Sequence, residues 1–221
     1  MKITRFILCL VLIAGTVASQ PAPQLDSLAV AVVEQVGAVA GTVVTHEINR
    51  AYLQVTTSYP AYEVIDTVTI DSASGRVALP ANYDRMIAVD LIVSGGDLDK
   101  VRVSLRKVPT DTTAADIVRE KMDYTNAADQ KYYQVSARYL YTYPRWTRTD
   151  TASFEVRYYA VGAKLTSGSD TITVAFAYRN AVFFLACAEY QARRGQFRDA
   201  AFYQALCEQR YGPLIRRRDE E

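Results

Sequence analysis

The stretch FAYRNAVFFLACAEYQARRGQFRDAAFYQALCEQRY, residues 176–211, decides the fold of this chain. In its first half, apolar residues recur at three- and four-residue steps, which is typical of one buried helix face: Ala177, Ala181, Phe184, Leu185 and Ala188. Gly195 interrupts the pattern, and glycine is the residue that most readily ends a helix in the left-handed conformation. Asp199 can cap a second helix, which has its own apolar positions: Ala201, Phe202, Ala205 and Leu206. The stretch predicts an antiparallel helical hairpin that needs a partner from the rest of the chain to bury its apolar faces.

The composition indicates a globular protein. The chain has 221 residues, half of them hydrophobic, which suffices for one substantial domain or for a core with an inserted second layer. Its formal net charge of +1 gives no electrostatic reason to expect nucleic acid or a membrane surface as a partner. Three cysteines do not make a disulfide framework. Cys187 and Cys207 fit either two buried thiols in a helical core or, after export to an oxidising compartment, one disulfide.

Residues 1–23 form a separate apolar segment. Lys2 and Arg5 precede an apolar run, residues 6–18, which is followed by small residues and a Pro-Ala-Pro sequence. This is the order of a secretory signal peptide. Two interpretations stay open: a signal that is cleaved on export, or an apolar helix that is kept and packs in an assembly.

After residue 23 the sequence predicts a helical region first, then a series of strands, and then the helical hairpin. Apolar positions at helical spacing run from residue 28 to about residue 58, and Gly37 and Gly41 predict a kink or a division into two helices. From residue 62 the period changes to two, which is the period of a half-buried strand. A short helix is predicted at residues 113–122. Alternation and turn residues predict six strands: residues 62–70, 76–79, 86–93, 101–105, 132–143 and 154–159.

The predicted fold class is α+β. The economical arrangement is a helical bundle built from both chain ends, residues 24–60 and 171–214. A β-rich, sandwich-like module is inserted between them at residues 61–170. Residues 215–221 form a charged tail.

The sequence contains no motif for catalysis or metal binding. There is no GxSxG, HExxH, GxxxxGK[ST] or GxGxxG motif. The single histidine, His46, stands beside Glu47, and these two side chains cannot supply the three or four ligands of a metal site. Asp97, Asp99 and Asp116 lack the alternating spacing of a calcium loop and fit solvated turns better. We therefore predict no catalytic residue, no metal site and no cofactor.

Aromatic residues are concentrated in the last two predicted strands and the loop between them. Five of them are the candidate interface aromatics: Tyr139, Tyr141, Tyr143, Trp146 and Tyr158. Exposed on a sheet, such side chains stack on sugars or act as anchors at protein interfaces. Alternatively, every second tyrosine fills the core face of the sheet. An exported glycan- or surface-binding protein is one function that fits the exposed arrangement.

Several short motifs recur in an order that points to one protein family. They are Ile48-Asn-Arg-Ala-Tyr52, Val77-Ala-Leu-Pro80, Tyr83-Asp-Arg85, Lys131-Tyr-Tyr133, Phe154-Glu-Val-Arg-Tyr-Tyr159 and Leu165-Thr-Ser-Gly-Ser-Asp170, followed by the alanine-rich helical pair and the arginine-rich end. This order, over about residues 28–218, resembles the head-to-tail adaptor (connector) proteins of tailed bacteriophages. A signal-like N-terminus is not part of that family's pattern.

The resemblance implies a non-enzymatic structural protein of the virion, located at the head–tail junction and assembled in the host cytoplasm. Such adaptors form a ring, typically of twelve copies, beneath the portal, extend the DNA channel and give the tail its platform. The implied partners are the portal protein, a tail or nozzle component, further copies of the chain, and DNA that passes without sequence recognition. The family's C-terminal segment often reaches into the portal, which makes four tail residues candidates for portal binding: Ile215, Arg216, Arg217 and Arg218. The exported binder stays the alternative function.

Overall fold

The computed structural model describes residues 22–39, 42–69, 76–93, 101–108, 132–143 and 152–212. Within these ranges lie four helices: α1 Leu25–Gln35, α2 Thr45–Ser58, α3 Arg179–Arg193 and α4 Phe197–Tyr211. The same ranges contain seven strands: β1 Glu63–Thr69, β2 Arg76–Ala78, β3 Tyr83–Val93, β4 Val101–Lys107, β5 Tyr132–Ser136, β6 Tyr139–Tyr143 and β7 Ala152–Ala160. The predicted α+β class is confirmed. The predicted short helix at residues 113–122 lies outside the described residues.

The first helical region is two helices. The chain leaves α1 through Gly37, whose φ of 63° lies in the left-handed region that glycine enters without strain. Helix α2 then begins at Thr45 and ends at Ser58, two residues before Pro60. The division predicted from the glycines is therefore confirmed.

One hydrophobic core contains side chains from all four helices. Val32 of α1 and Ile48 of α2 are fully buried in it, together with Leu185 of α3 and Cys207 of α4. Helices from the two ends of the chain therefore pack against each other. Gly195, with φ 73°, separates α3 from α4 as the sequence predicted.

The face that α4 buries differs from the predicted one. Its buried residues are Ala200, Tyr203 and Cys207, whereas the predicted positions are exposed or half-buried: Ala201, Phe202, Ala205 and Leu206. The helix begins at Phe197, so Asp199 lies in its first turn and is not the cap. Apolar residues occupy more than one side of α4, and only packing against α3 selects the side that is buried.

Both helical cysteines are free thiols in the structure. Cys187 of α3 and Cys207 of α4 are buried in the helical core. Burial raises the pKa of both thiols, because an apolar surrounding disfavours the charged thiolate. Of the two arrangements that the sequence left open, the structure therefore has the buried thiols.

The strands form one seven-stranded sheet in the order β1-β7-β3-β4-β5-β6-β2. All neighbours are antiparallel except β4 and β5, which are parallel. A single buried cluster contains residues from β2 to β7, among them Val77 of the edge strand β2, and the half-buried Val64 and Val68 of the other edge strand, β1, pack against it. Side chains of both edge strands therefore reach the same core, so the sheet curls around its own apolar face. The predicted sandwich-like module was wrong in this respect, because the parallel β4–β5 pair joins all strands into one sheet.

The strand predicted at residues 132–143 is a hairpin. Ala137 and Arg138 both have positive φ, 47° and 66°, and they turn the chain between β5 and β6. Hairpin turns with two positive φ angles favour asparagine and glycine. Because alanine and arginine stand there instead, the sequence lacks the usual signal for this turn.

The junction between sheet and helices is built by the segment that leaves β7. Asn49 of α2 donates to the carbonyl oxygen of Leu165 at 2.9 Å and accepts from the Leu165 N–H at 2.7 Å. The carbonyl oxygens of Gly168 and Asp170 accept the first N–H groups of α1, those of Asp26 and Leu25. These N–H groups have no partner inside the helix. Two of the sequence landmarks, residues 48–52 and 165–170, thus contact each other directly.

We expect Asp170→Asn to lower the melting temperature at neutral pH. The N–H groups of Ser167 and Thr166 donate to the Asp170 carboxylate at 2.8 and 2.6 Å and hold its pKa below the ordinary value. The folded state therefore favours the ionised form, so this stabilisation is complete above the unfolded pKa of about 3.9 and is lost as the pH falls through the folded pKa.

Thermal unfolding followed by circular dichroism between about pH 7 and pH 2.5 checks this expectation. The melting temperatures of the two proteins should converge at the acidic end. A difference that stays constant over this range would contradict the role given to the carboxylate.

Candidate interaction surfaces

Half of the outward sheet face is aromatic and basic. The described segments that form it, residues 76–83, 103–108 and 132–143, contain four arginines or lysines and no aspartate or glutamate. Residues opposite each other in register share a face of the sheet. This places three half-exposed tyrosines on the outward face beside two arginines: Tyr132, Tyr139, Tyr141, Arg76 and Arg106. We call these five residues the tyrosine–arginine surface.

Cation–π packing orders part of this surface. The Arg76 guanidinium lies 4.2 Å from the ring centroid of Tyr139, a distance at which the cation is attracted to the ring face. Arg76 and Arg106 have no salt bridge among the described residues. The surface therefore presents positive charge together with aromatic area, which is the composition of anchor residues at protein interfaces.

The other half of the outward face neutralises its own charge. Arg102 of β4 forms ion pairs with Asp90 of β3 and Glu155 of β7. Burial alone would raise the pKa of Asp90, but hydrogen bonds from Ser104 and Arg102 outweigh it and lower that pKa. Arg85 of β3 also lies on this half, 4.8 Å from the Tyr159 ring centroid and without a salt bridge among the described residues. The tyrosine–arginine surface differs because its described segments contain no acidic residue to offset its positive charge.

Of the five candidate interface aromatics, the structure places two on the outward face of the sheet and one on the inner face. Tyr139 and Tyr141 lie on the outward face, and only the backbone of Tyr143 is described. Trp146 lies outside the described residues. Tyr158 is buried on the inner face of β7, where its hydroxyl donates to Asn82 at 3.2 Å. Tyr158 was therefore wrongly grouped with the exposed aromatics, because the period of two puts it on the inner face with Phe154 and Val156.

Sequence reasoning missed the basic half of this surface. The alternation Arg102, Ser104, Arg106 between apolar residues could have assigned Arg106 to the outward face. Nothing in the sequence indicates that β4 pairs with β5, or that β2 returns beside β6, because both pairings join strands that are distant along the chain. The meeting of Arg76 and Arg106 with the tyrosines therefore required the structure.

Three tyrosine rings fix the point at which the chain leaves α4. Tyr59, Tyr178 and Tyr211 have ring centroids 5.6 to 6.1 Å apart. The Tyr59 hydroxyl donates to the carbonyl oxygen of Gly212 at 2.8 Å, and burial raises the pKa of that hydroxyl. We call these three residues the tyrosine cluster. The candidate portal-binding residues 215–218 follow it and lie outside the described residues.

Other kinds of site are sparse in the part of the chain that the structure describes. There, no three His, Cys, Asp or Glu side chains lie close enough together to hold a metal ion, and His46 is exposed. A shallow cavity of about 100 Å³ lies among α2, α3 and α4, beside Gln54, Leu185 and Gln204. Of the described helices, none has the length and apolar character needed to cross a membrane.

Comparison with known proteins assigns the family. The family model described as SU10 adaptor protein matches residues 24–221. A search of the curated proteins found no match. The matched range includes every landmark motif and begins directly after the apolar N-terminal segment. Since the match covers far more than half of the chain, the protein belongs to the SU10 adaptor family, the head-to-tail adaptor proteins of tailed bacteriophages.

Proposed function

We propose that this phage structural protein is a ring subunit that docks beneath the portal, extends the DNA channel and gives the tail its attachment platform. Membership of the adaptor family supports this function over that of an exported glycan- or surface-binding protein. The observation that carries the tail-binding part is the tyrosine–arginine surface, in which unbalanced positive charge and aromatic area coincide. Its chemistry fits an acidic protein surface on the next tail component. Double-stranded DNA in the channel offers no unstacked bases to these rings.

The C-terminal tail is the proposed portal contact. Residues 215–218, with three consecutive arginines, begin four positions after Tyr211, the last residue of α4. The tyrosine cluster holds Gly212 through the Tyr59 hydroxyl, so the tail starts from a fixed point on the helical core. A segment that starts from a rigid base loses less conformational freedom on binding than a fully free one. In this proposal the two contacts lie on different parts of the molecule, so that each subunit bridges portal and tail.

Two sets of variants test the two contacts separately. Purified protein is mixed with its cognate portal, and the complexes are imaged by electron microscopy and then offered the purified tail component. Removal of residues 213–221 should abolish portal binding. The double change Arg76→Glu and Arg106→Glu should leave portal binding intact and weaken tail attachment by about tenfold or more. Lys164→Glu is the matched control, because it changes an exposed charge in the segment that packs on the helices.

The outcomes distinguish the candidate functions. If the wild-type protein forms no ring with the portal, the adaptor mechanism is wrong for this chain. If the double variant Arg76→Glu and Arg106→Glu still attaches the tail component while Lys164→Glu does not, the tyrosine–arginine surface is not the tail contact. Binding to a glycan array that is lost with Tyr139→Ala or Tyr141→Ala would support the exported binder instead.

A further inference from the structure

Helix α4 presents an aromatic and basic face to solvent. Phe197 is 72% exposed and Phe202 is 47% exposed, and Ala201 and Ala205 on the same side are exposed too. Arg198 lies between the two phenylalanines and makes no ion pair or side-chain hydrogen bond with the described residues. Large aromatic side chains exposed next to each other mark an interaction site more often than single exposed apolar residues do.

Helix α1 presents a face of the opposite kind. Val30 is 58% exposed, and Glu34 follows it one helical turn later, also exposed. The Glu34 carboxylate has no partner among the described residues. No lysine or arginine occurs from residue 22 to residue 49, so nothing on this part of the chain offsets the negative charge.

The two faces match in charge and in spacing. On α1 the apolar residue precedes the acid by four positions, Val30 then Glu34, and on α4 the base precedes the aromatic residue by four, Arg198 then Phe202. Residues four apart lie on the same side of a helix. If the two helices run antiparallel, Arg198 faces Glu34 while Phe202 covers Val30.

Within one molecule the outer face of α1 does not contact the outer face of α4. The last residue of α1 already contacts the buried side of α4, because Gln35 donates to the Tyr203 hydroxyl at 3.3 Å. The inner sides of both helices are therefore occupied within the chain, whereas the outer faces are exposed to solvent, with Val30 58% and Phe202 47% exposed. A second copy supplies both the acidic face and the basic face.

We propose that the outer face of α4 in one copy docks on the outer face of α1 in the next, with Arg198 against Glu34 and Phe202 on Val30. Two different patches that bind each other make a head-to-tail contact, which closes into a ring when the rotation between copies permits. The proposal rests on the proposed ring function and assigns residues to its subunit contact. It is one part of the interface, since a stable contact buries more area than one pair of helix faces.

Charge reversal tests the contact without disturbing the fold, because both side chains are exposed. The full-length variants Glu34→Arg, Arg198→Glu and the double variant are compared with wild type. Circular dichroism checks folding, and ring assembly in the presence of portal is scored by electron microscopy and light scattering. Each single reversal should reduce assembly by about tenfold or more, since like charges then face each other. The double variant should assemble like wild type, because the pair is restored with exchanged signs.

Several outcomes overturn the contact. The contact is wrong if Glu34→Arg and Arg198→Glu each assemble like wild type. It is also wrong if the double variant assembles no better than the two single variants. A further variant that lacks residues 2–20 tests another occupant, the apolar segment. If that deletion dissolves the ring while the reversals do not, the segment and not α1 covers α4. In all of these outcomes the wild-type ring persists, so the proposed function survives. If the wild-type protein forms no ring, both the proposed function and the proposed subunit contact are wrong.

Discussion

Replacing Gly162 with alanine is expected to destabilise the protein by about 3 kcal/mol. A Cβ atom at this position would lie 2.5 Å from Cε1 and Cζ of the Tyr52 ring, far inside van der Waals contact. The ring cannot easily move away, because Tyr52 is buried and its hydroxyl donates to the carbonyl oxygen of Thr173 at 3.3 Å. Nor can the backbone withdraw freely, since the Gly162 N–H donates to the Thr56 hydroxyl at 3.0 Å. The substitution therefore forces α2 away from the segment that follows β7.

Chemical denaturation of a double-mutant cycle measures this effect. Gly162→Ala is introduced into the wild type and into Tyr52→Ala, in which the opposing ring is absent. In the second background its cost should fall below about 1 kcal/mol, because the added methyl group then enters vacated space. An equal cost in both backgrounds would show that the ring contact is not the reason for glycine at this position.

Replacing Arg193 with methionine is expected to cost about 3 kcal/mol, although the side chain is 64% exposed. Its guanidinium donates to Oε1 of Glu47, whose carboxylate is almost completely buried beneath it. The second carboxylate oxygen, Oε2, has no hydrogen-bond partner among the described residues. Loss of Arg193 would therefore leave a buried negative charge without its cation, which costs far more than the loss of a surface ion pair.

The neighbouring arginine provides the matched control. Arg194 is also exposed, and among the described residues its guanidinium contacts Tyr190 of the preceding helix, the hydroxyl at 3.4 Å and the ring centroid at 5.7 Å. We expect Arg194→Met to cost less than about 0.5 kcal/mol in the same denaturation assay. The double variant Glu47→Met with Arg193→Met should recover most of the stability, because the carboxylate is removed together with its partner. Equal small effects for both arginines would show that Glu47 does not depend on Arg193.

The two stability predictions depend on residues that the sequence does not distinguish. Glu47 stands beside His46 in a helix of mixed polarity, and nothing local marks it as buried. Gly162 looks like an ordinary loop glycine after a strand. Each becomes critical through a residue more than 100 positions away, Arg193 for Glu47 and Tyr52 for Gly162.

The candidate surfaces were predictable in part. The concentration of tyrosines in β5, β6 and β7 is visible in the sequence, and the period of two separates the outward Tyr139 and Tyr141 from the inward Tyr158 once the strands are known. The hairpin at Ala137 was not predictable, because the turn lacks its usual residues. Arg76 and Arg106 join the tyrosines only through strand pairings that periodicity cannot indicate.

By itself the sequence determined the local structure and the family of this protein. The spacing of apolar residues predicted the helices, and alternation predicted most of the strands. Gly37 and Gly195 predicted where helices end, and the order of the landmark motifs indicated the adaptor family. The tertiary structure alone decided which side of α4 is buried, how the strands join into one curled sheet, and which charges stand unpaired on the surface. The physical reason is that periodicity reflects interactions between residues three or four apart in a helix and two apart in a strand. The choice among several apolar faces is made by packing between segments that are distant in sequence.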